Sequence, residues 1–374
     1  MRAGRTLQDL ATELDRRRDA QRDFYGDSRN ITLQPIRKMP EEGAAPGSHE
    51  AGAVGVRLHM EGITDEEGEG RSFGLQPFAH GQIASHTGMP KKHYDRLMAA
   101  NPKLLTEEVN FWLRSEPSRR LVRSLDGNVR AFLSDSYRQI DNADLAEAVL
   151  PALEGLDARV VSCEVTDKRF YLKAVTERVQ GEVAQGDIVQ AGIVVSNSEV
   201  GAGALQIEEF ALRLVCLNGM ISQVAQRRTH VGRRSDLGAL NNATEYWKDE
   251  TRRQSDRALF MQIRDSVAAI FDAERFAGRV ADYRRAAEDQ IPATAAVPVM
   301  EAVGQRLQLT EGEQEGVLGH LIAGGDLSRW GVANAVTRFA EDASDYDRAT
   351  DFERMGGSII ELPRTDWEKL ATAS

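Results

Sequence analysis

Between residues 130 and 220 the chain carries a series of short segments with period-two patterning, followed by helical periodicity to its end, and no other feature limits the possible folds as tightly. Residues 166–175 (TDKRFYLKAV) alternate: Phe170, Leu172 and Ala174 fall on one side of an extended chain, and Arg169, Tyr171 and Lys173 on the other. Residues 128–133 and 158–164 are further strand candidates, flanking a helix over Ala143–Leu153 with Asn142 as its N-cap. Ile188–Ser196 and Ala204–Leu217 follow, joined by NSEVGAG. In the second of these, Phe210, Leu212, Leu214 and Cys216 alternate with Ala211, Arg213 and Val215, and Asn218-Gly219 reads as the turn that ends it. Beyond, Leu259, Ile263, Val267, Ile270 and Phe271 repeat at helical spacing, as do Trp330, Ala333, Val336 and Ala340 after Ser328. The predicted fold class is α+β: a central antiparallel sheet, a helical hairpin before it and a helical C-terminal third.

The hairpin lies within Leu75–Leu113. Ala79, Ile83 and Ala84 share one helical face, Gly88 marks a turn, and Pro90 suits the first position of a helix carrying Tyr94, Leu97 and Met98. Two short helices joined through Thr-Gly-Met have the outline of a helix-turn-helix, but an αα-hairpin packed on a sheet has the same pattern and is commoner. Residues 1–39 read as a short polar helix and an extended stretch from Ile31 to Met39, and 40–55 as a Gly/Pro/Ala/Glu linker. A second Gly/acid stretch, Gly62–Gly70, joins two strands. The expected units are 1–72, a polar segment with a flexible linker; 73–235, an α+β core; and 236–374, a helical region.

Composition narrows the function classes. No run of eighteen apolar residues is present, and charges interrupt the N-terminal stretch where a signal peptide would need an apolar core. The two cysteines, Cys163 and Cys216, sit in apolar runs without a CxxC partner, which points to buried thiols in a reducing cytoplasm. A net charge of −11 argues against a chain that binds nucleic acid over its whole surface. The acids are unevenly spread, however. Between Arg213 and Arg234 lie Arg213, Arg227, Arg228, Arg233 and Arg234 with no Asp or Glu.

Tests for chemistry eliminate more than they find. His80, His86 and His93 lack the i, i+4 spacing of a helical zinc site. GAGAL at 201–205 is followed by a strand instead of a helix N-terminus, so it is no phosphate loop. Cys216 with His230 has no third group to orient it. Asp187, Glu199, Glu208 and Glu209 fall close together in the hairpin and frame an alternative, a metal-dependent nuclease. No catalytic residue, metal or cofactor is otherwise expected. Single-strand binding needs a cationic groove with rings for the bases, and the Arg169–Tyr171–Lys173 face is the best local match. The loop carrying Arg227, Arg228, His230, Arg233 and Arg234 is the stronger feature, since its four arginines repel one another without a partner anion. The bland alternative is salt bridges from this loop to the acidic C-terminal helices.

RAFLSDSYRQIDNADL (130–145), GIVVSNSEVGAGAL (192–205) and FALRLVCLNGM (210–220) together resemble the phage/plasmid-like protein family, a domain of unknown function carried on bacteriophages, plasmids and integrated elements. The similarity extends through ASHTGMPKKHYDRLM (84–98) and more weakly through 329–342 and 361–370, leaving residues 1–70 unplaced. It implies a role in DNA metabolism, with a fold-level analogy to single-strand annealing recombinases, which work as oligomeric rings. It implies no active site. The expected protein is non-enzymatic, homo-oligomeric and bound to nucleic acid, single-stranded DNA foremost, in the cytoplasm of a bacterial host. A module that contacts host proteins is the alternative. A structural polar network is expected around the NSE-x-G turn: Asn197 and Glu199 with Tyr137, Arg138 and Asn218, and Arg213 paired to Glu199 across the hairpin.

Overall fold

The computed structural model describes residues 1–37, 53–64, 70–230 and 249–372. Its elements run α1 (Leu7–Ala20), β1 (Arg22–Asp27), β2 (Ile31–Arg37), β3 (Ala53–Thr64), β4 (Gly70–Leu75), α2 (Pro77–His86), α3 (Lys91–Ala100), α4 (Pro102–Ser115), β5 (Arg119–Leu125) and β6 (Asn128–Ser134). Then follow α5 (Asn142–Gly155), β7 (Ala158–Val165), β8 (Phe170–Glu182), β9 (Ile188–Asn197), β10 (Leu205–Arg213) and β11 (Asn218–Arg228). The helical remainder is α6 (Asp249–Ile270), α7 (Ala273–Glu288), α8 (Ala296–Leu307), α9 (Glu311–Gly324), α10 (Arg329–Arg338), α11 (Tyr346–Ile360) and α12 (Arg364–Ala371).

The α+β expectation holds, with two sheets. β7 to β11 form an antiparallel meander in sequence order. The second sheet has the order β1-β5-β6-β4-β3-β2 and is antiparallel except where β4 meets β6. Residues 1–72 supply β1, β2, β3 and the start of β4. The linker expected at 40–55 lies mostly outside the described residues, as does most of 62–70. Helix α2 packs on β6, and α4 packs on β2 and β3, closing a core that includes Leu33, Leu58, Phe73, Ile83, Tyr94, Val109 and Phe132. The helix pair thus packs on a sheet: Tyr94, the apolar anchor of α3, is buried and its hydroxyl meets His80 Nδ1 at 2.8 Å.

The C-terminal helices cover the meander. Helix α6 packs on β9, β10, β11 and α5, burying Leu259, Ile263, Val267 and Ile270 at the spacing the sequence shows. Helices α10 and α11 pack on β11 and on each other. Ser328 caps α10 by accepting from the Gly331 amide at 3.1 Å.

One turn differs from expectation. β10 ends at Arg213, Leu214–Leu217 form the turn, and Asn218-Gly219 open the return strand. Leu217 takes the left-handed conformation (φ 51) that an Asn-Gly pair is expected to supply. Gly219 is needed for space: a Cβ there would stand 2.2 Å from the Phe210 ring, which lies across it. Cys216 consequently sits half-buried in a turn, not on a buried strand face, whereas Cys163 is buried as expected.

Helix α11 meets the sheet even more closely. A Cβ on Gly357 would lie 1.8 Å from the Ile221 carbonyl oxygen of β11. Gly357→Ala must push the helix off the strand, and such overpacking costs ~1–3 kcal/mol or more. We expect a lower urea midpoint at unchanged slope; a midpoint equal to that of the unmodified protein contradicts this packing.

Candidate nucleic-acid interface and the buried polar network

The turn between β9 and β10 projects toward the six-stranded sheet, and Glu199 is its centre. One carboxylate oxygen accepts from Arg130 Nη1 at 2.7 Å; the other accepts from the Asn142 backbone amide at 2.7 Å. Asn142 is the first residue of α5, not its cap, so a carboxylate from a distant turn satisfies an open amide at the helix start. Arg123 on β5, with no exposed surface, donates to the Glu199 carbonyl (3.0 Å), Asp141 (2.6 Å) and Asp23 (2.9 Å). Burial disfavours the Arg123 charge, but Asp141 and Asp23 more than offset it, and its pKa lies above the ordinary arginine value. Arg130 also bonds Gln21. Asn197 donates to the Ile140 carbonyl and to Asn142 Oδ1, each at 2.8 Å.

Tyr137 joins this network, donating to the Ser198 carbonyl at 2.7 Å. Its ring stacks on His230 at 4.9 Å between centroids. His230 Nδ1 donates to the Arg138 carbonyl at 2.9 Å, and the Arg138 amide donates to the His230 carbonyl at 2.6 Å. Burial, more than any neighbour, lowers the His230 pKa and keeps the ring neutral. His230 is thus a packed residue, not a free member of a basic loop.

Arg213 does not pair with Glu199. It forms a two-pronged bond to Asp187 (2.6 and 2.9 Å), and Trp330 of α10 donates to the same carboxylate at 3.0 Å. Hairpin register explains the difference, because Arg213 lies opposite Val189, beside Asp187, while Glu199 lies beyond the far end of β9. Asn218 is likewise elsewhere, donating to Thr337 and Asn334 of α10.

The Arg169–Tyr171–Lys173 face is not open to solvent. Tyr171 and Lys173 have no exposed surface, and Lys173 Nζ meets Glu353 of α11 at 2.5 Å with both side chains fully enclosed. Burial lowers the Lys173 pKa, opposed by Glu353. Arg169 is half-buried and donates to the Ala202 carbonyl, bracing the turn. Nucleic-acid bases cannot stack on Tyr171 while α11 is in place. Alternation marks the polar side of β8 correctly but does not show that a helix covers it.

The hairpin carboxylates are each matched to arginines. Glu208 holds Arg354 of α11 at 2.7 Å, and Glu209 holds Arg275 and Arg279 of α7. With Asp187 on Arg213 and Glu199 on Arg130, the four acids expected as a metal-nuclease set are dispersed among different cations. Among the described residues no group of three metal-ligating side chains occurs. Cys216 and His230 have separate partners: Arg213 lies 3.7 Å from the Cys216 sulfur, while His230 stacks on Tyr137.

Arg227 and Arg228 end β11, opposite Gln206 and Leu205. Both are exposed, and no carboxylate among the described residues pairs with them. Arg233 and Arg234 lie outside the described residues. Sequence reasoning names no partner for Arg123, Arg130 or Glu353, whose partners are 18 to 180 residues away in the chain.

Two sets of substitutions test this geometry. Glu199→Ala strands Arg130 and uncaps α5, and removing one partner of a buried pair costs about 3–5 kcal/mol. Glu147→Ala, at the exposed Arg18 pair, costs less than about 1 kcal/mol. Equal losses in denaturant titration contradict a central role for Glu199. Lys173→Met or Glu353→Leu alone is also expected to cost about 3–5 kcal/mol, while the double substitution recovers most of that loss. Additive losses contradict direct pairing.

Comparison with known proteins gives one finding of kinship. The family model described as "Domain of unknown function (DUF932)" matches residues 131–351, which span β6 to α11 and exclude the 84–98 and 361–370 stretches. Searches of curated proteins and of solved structures return no match. With more than half of its length matched, the chain belongs to this family of unknown function.

Proposed function

We propose that this protein binds the phosphate backbone of nucleic acid, single-stranded DNA foremost, as a non-enzymatic, homo-oligomeric factor of DNA metabolism on a phage or plasmid in a bacterial cytoplasm. One observation carries the reading. Arg130, Arg213, Arg279 and Arg354 around the meander and its turn are each matched to a carboxylate, but Arg227 and Arg228 stand exposed at the end of β11 with no carboxylate partner among the described residues. The exposed position allows phosphates to approach, and the adjacent charges gain from a polyanion. Arg233 and Arg234, close in sequence, add to the same charge. Tyr171 and Lys173 have no part in this mechanism, because α11 covers them.

A protein-contact role is the second reading, supported by the outer face of α4. Leu104, Phe111 and Trp112 are 45%, 59% and 38% exposed there. Aromatic side chains are enriched where proteins meet.

Changing Arg227, Arg228, Arg233 and Arg234 together to alanine is expected to weaken binding of a fluorescent single-stranded oligonucleotide. The slope of log affinity against log salt should fall by ~0.7 for each phosphate that the variant no longer neutralises. Tight binding that survives the substitution, or no binding at low salt, sinks the proposal. Protein partners retained from nuclease-treated host lysate would favour the second reading.

A further inference from the structure

Arg120, the second residue of β5, is a half-buried cation with no carboxylate partner among the described residues. Its guanidinium lies 4.9 Å from the centroid of Phe132 on β6, and its Nε is buried without a hydrogen-bond partner. No carboxylate among the described residues is within ion-pair distance; Asp135, exposed, acts on it only through space. Burial lowers the Arg120 pKa, yet a guanidinium keeps its proton in any protein environment, so the charge stays and lacks a partner. Arg123, three residues along the same strand, has three acceptors.

The surroundings suit an anion. His86, at the end of α2, packs on the same Phe132 ring at 5.5 Å between centroids. Its pKa is pushed down to about 4, by burial first and by the Arg120 charge second. Ser134, the register partner of Arg120, and Ser136 hydrogen-bond each other at 3.0 Å beside it. A guanidinium and an imidazole on one ring, with two hydroxyls at the register partner of Arg120, supply donors that suit a tetrahedral oxyanion, whose oxygens accept in several directions.

We propose that Arg120, His86 and the Ser134–Ser136 turn form a binding site for a phosphate group. The site is continuous with the arginine end of β11. The chain from Ser134 runs through Asp135 to Arg138, whose amide donates to the His230 carbonyl at 2.6 Å, two residues past Arg228. A polymer phosphate at Arg120 therefore extends the track that begins at Arg227 and Arg228. That part rests on the nucleic-acid reading; the oxyanion site itself does not.

Two titrations of the full chain decide it. Inorganic phosphate, compared with sodium chloride at matched ionic strength, is expected to raise the unfolding temperature by several degrees and to raise the His86 pKa followed by NMR. Both effects are lost in Arg120→Met, which keeps the volume over Phe132. If phosphate acts no differently from chloride on His86 of the unmodified protein, water alone serves Arg120 and the site is overturned; this readout needs no variant to fold. In the second titration a single-stranded oligonucleotide should move the His86 signals as phosphate does, and Arg120→Met should lower the salt slope by ~0.7. A phosphate response without an oligonucleotide response keeps the oxyanion site, assigns it to free phosphate and removes it from the nucleic-acid track. An oligonucleotide that binds through Arg227 and Arg228 but leaves His86 unmoved, with phosphate also silent, overturns this site and leaves the nucleic-acid reading standing.

Discussion

The Glu199 carboxylate fixes how the two sheets meet. It sits in a tight turn of the meander, yet both its oxygens are used elsewhere, one on an arginine of the six-stranded sheet and one on the first amide of α5. Its own carbonyl accepts from Arg123, which reaches on to Asp23 of β1 and Asp141 before α5. A buried cluster of this kind has little tolerance for partial assembly, because each group left unpaired carries its full desolvation cost. The relative placement of β1, β5, β6, α5 and the β9–β10 turn is therefore set together.

The same logic recurs on the rest of the meander. Glu208 and Glu209 are successive residues on one strand, and they are held by arginines from two different helices, α11 and α7. Lys173 and Glu353 make a third tie with no exposed surface on either side. Charge pairing thus orients helices that apolar packing alone would let slide, since packing is largely non-directional and ion pairs are not. Against this background the unmatched cations stand out. Arg227 and Arg228 are exposed at the end of β11, and Arg120 is half-buried above a ring. They lie at either end of the short path from Ser134 to His230, which joins the two halves of the molecule by backbone hydrogen bonds.

The family match begins at residue 131, so it includes Glu199 but not Arg123 or Arg130, its partners in the other sheet. The turn that carries the resemblance is also the turn that docks the N-terminal part of this chain. The six-stranded sheet up to β5 lies outside the matched stretch, and its contacts to that turn are a property of this chain's own tertiary structure.

Local features are legible in the sequence alone. The strands from β6 to β9, the apolar stripe of α6, the Ser328 cap and the polar character of the NSE-x-G turn all follow from periodicity and capping chemistry within a few residues. Where sequence and structure part, the deciding partner is distant. Tyr171 and Lys173 read as a wet face because alternation reports polarity, not what lies above it; α11, about 180 residues later, covers them. Asn218-Gly219 reads as a turn because its chemistry suits one, but Gly219 is spent on the Phe210 ring and Leu217 takes the positive φ. Arg213 pairs with Asp187 and not Glu199 because hairpin register, not sequence distance, sets which acid is adjacent. Which cations are neutralised is a matter of tertiary structure alone, since it depends on which carboxylate the fold brings within reach.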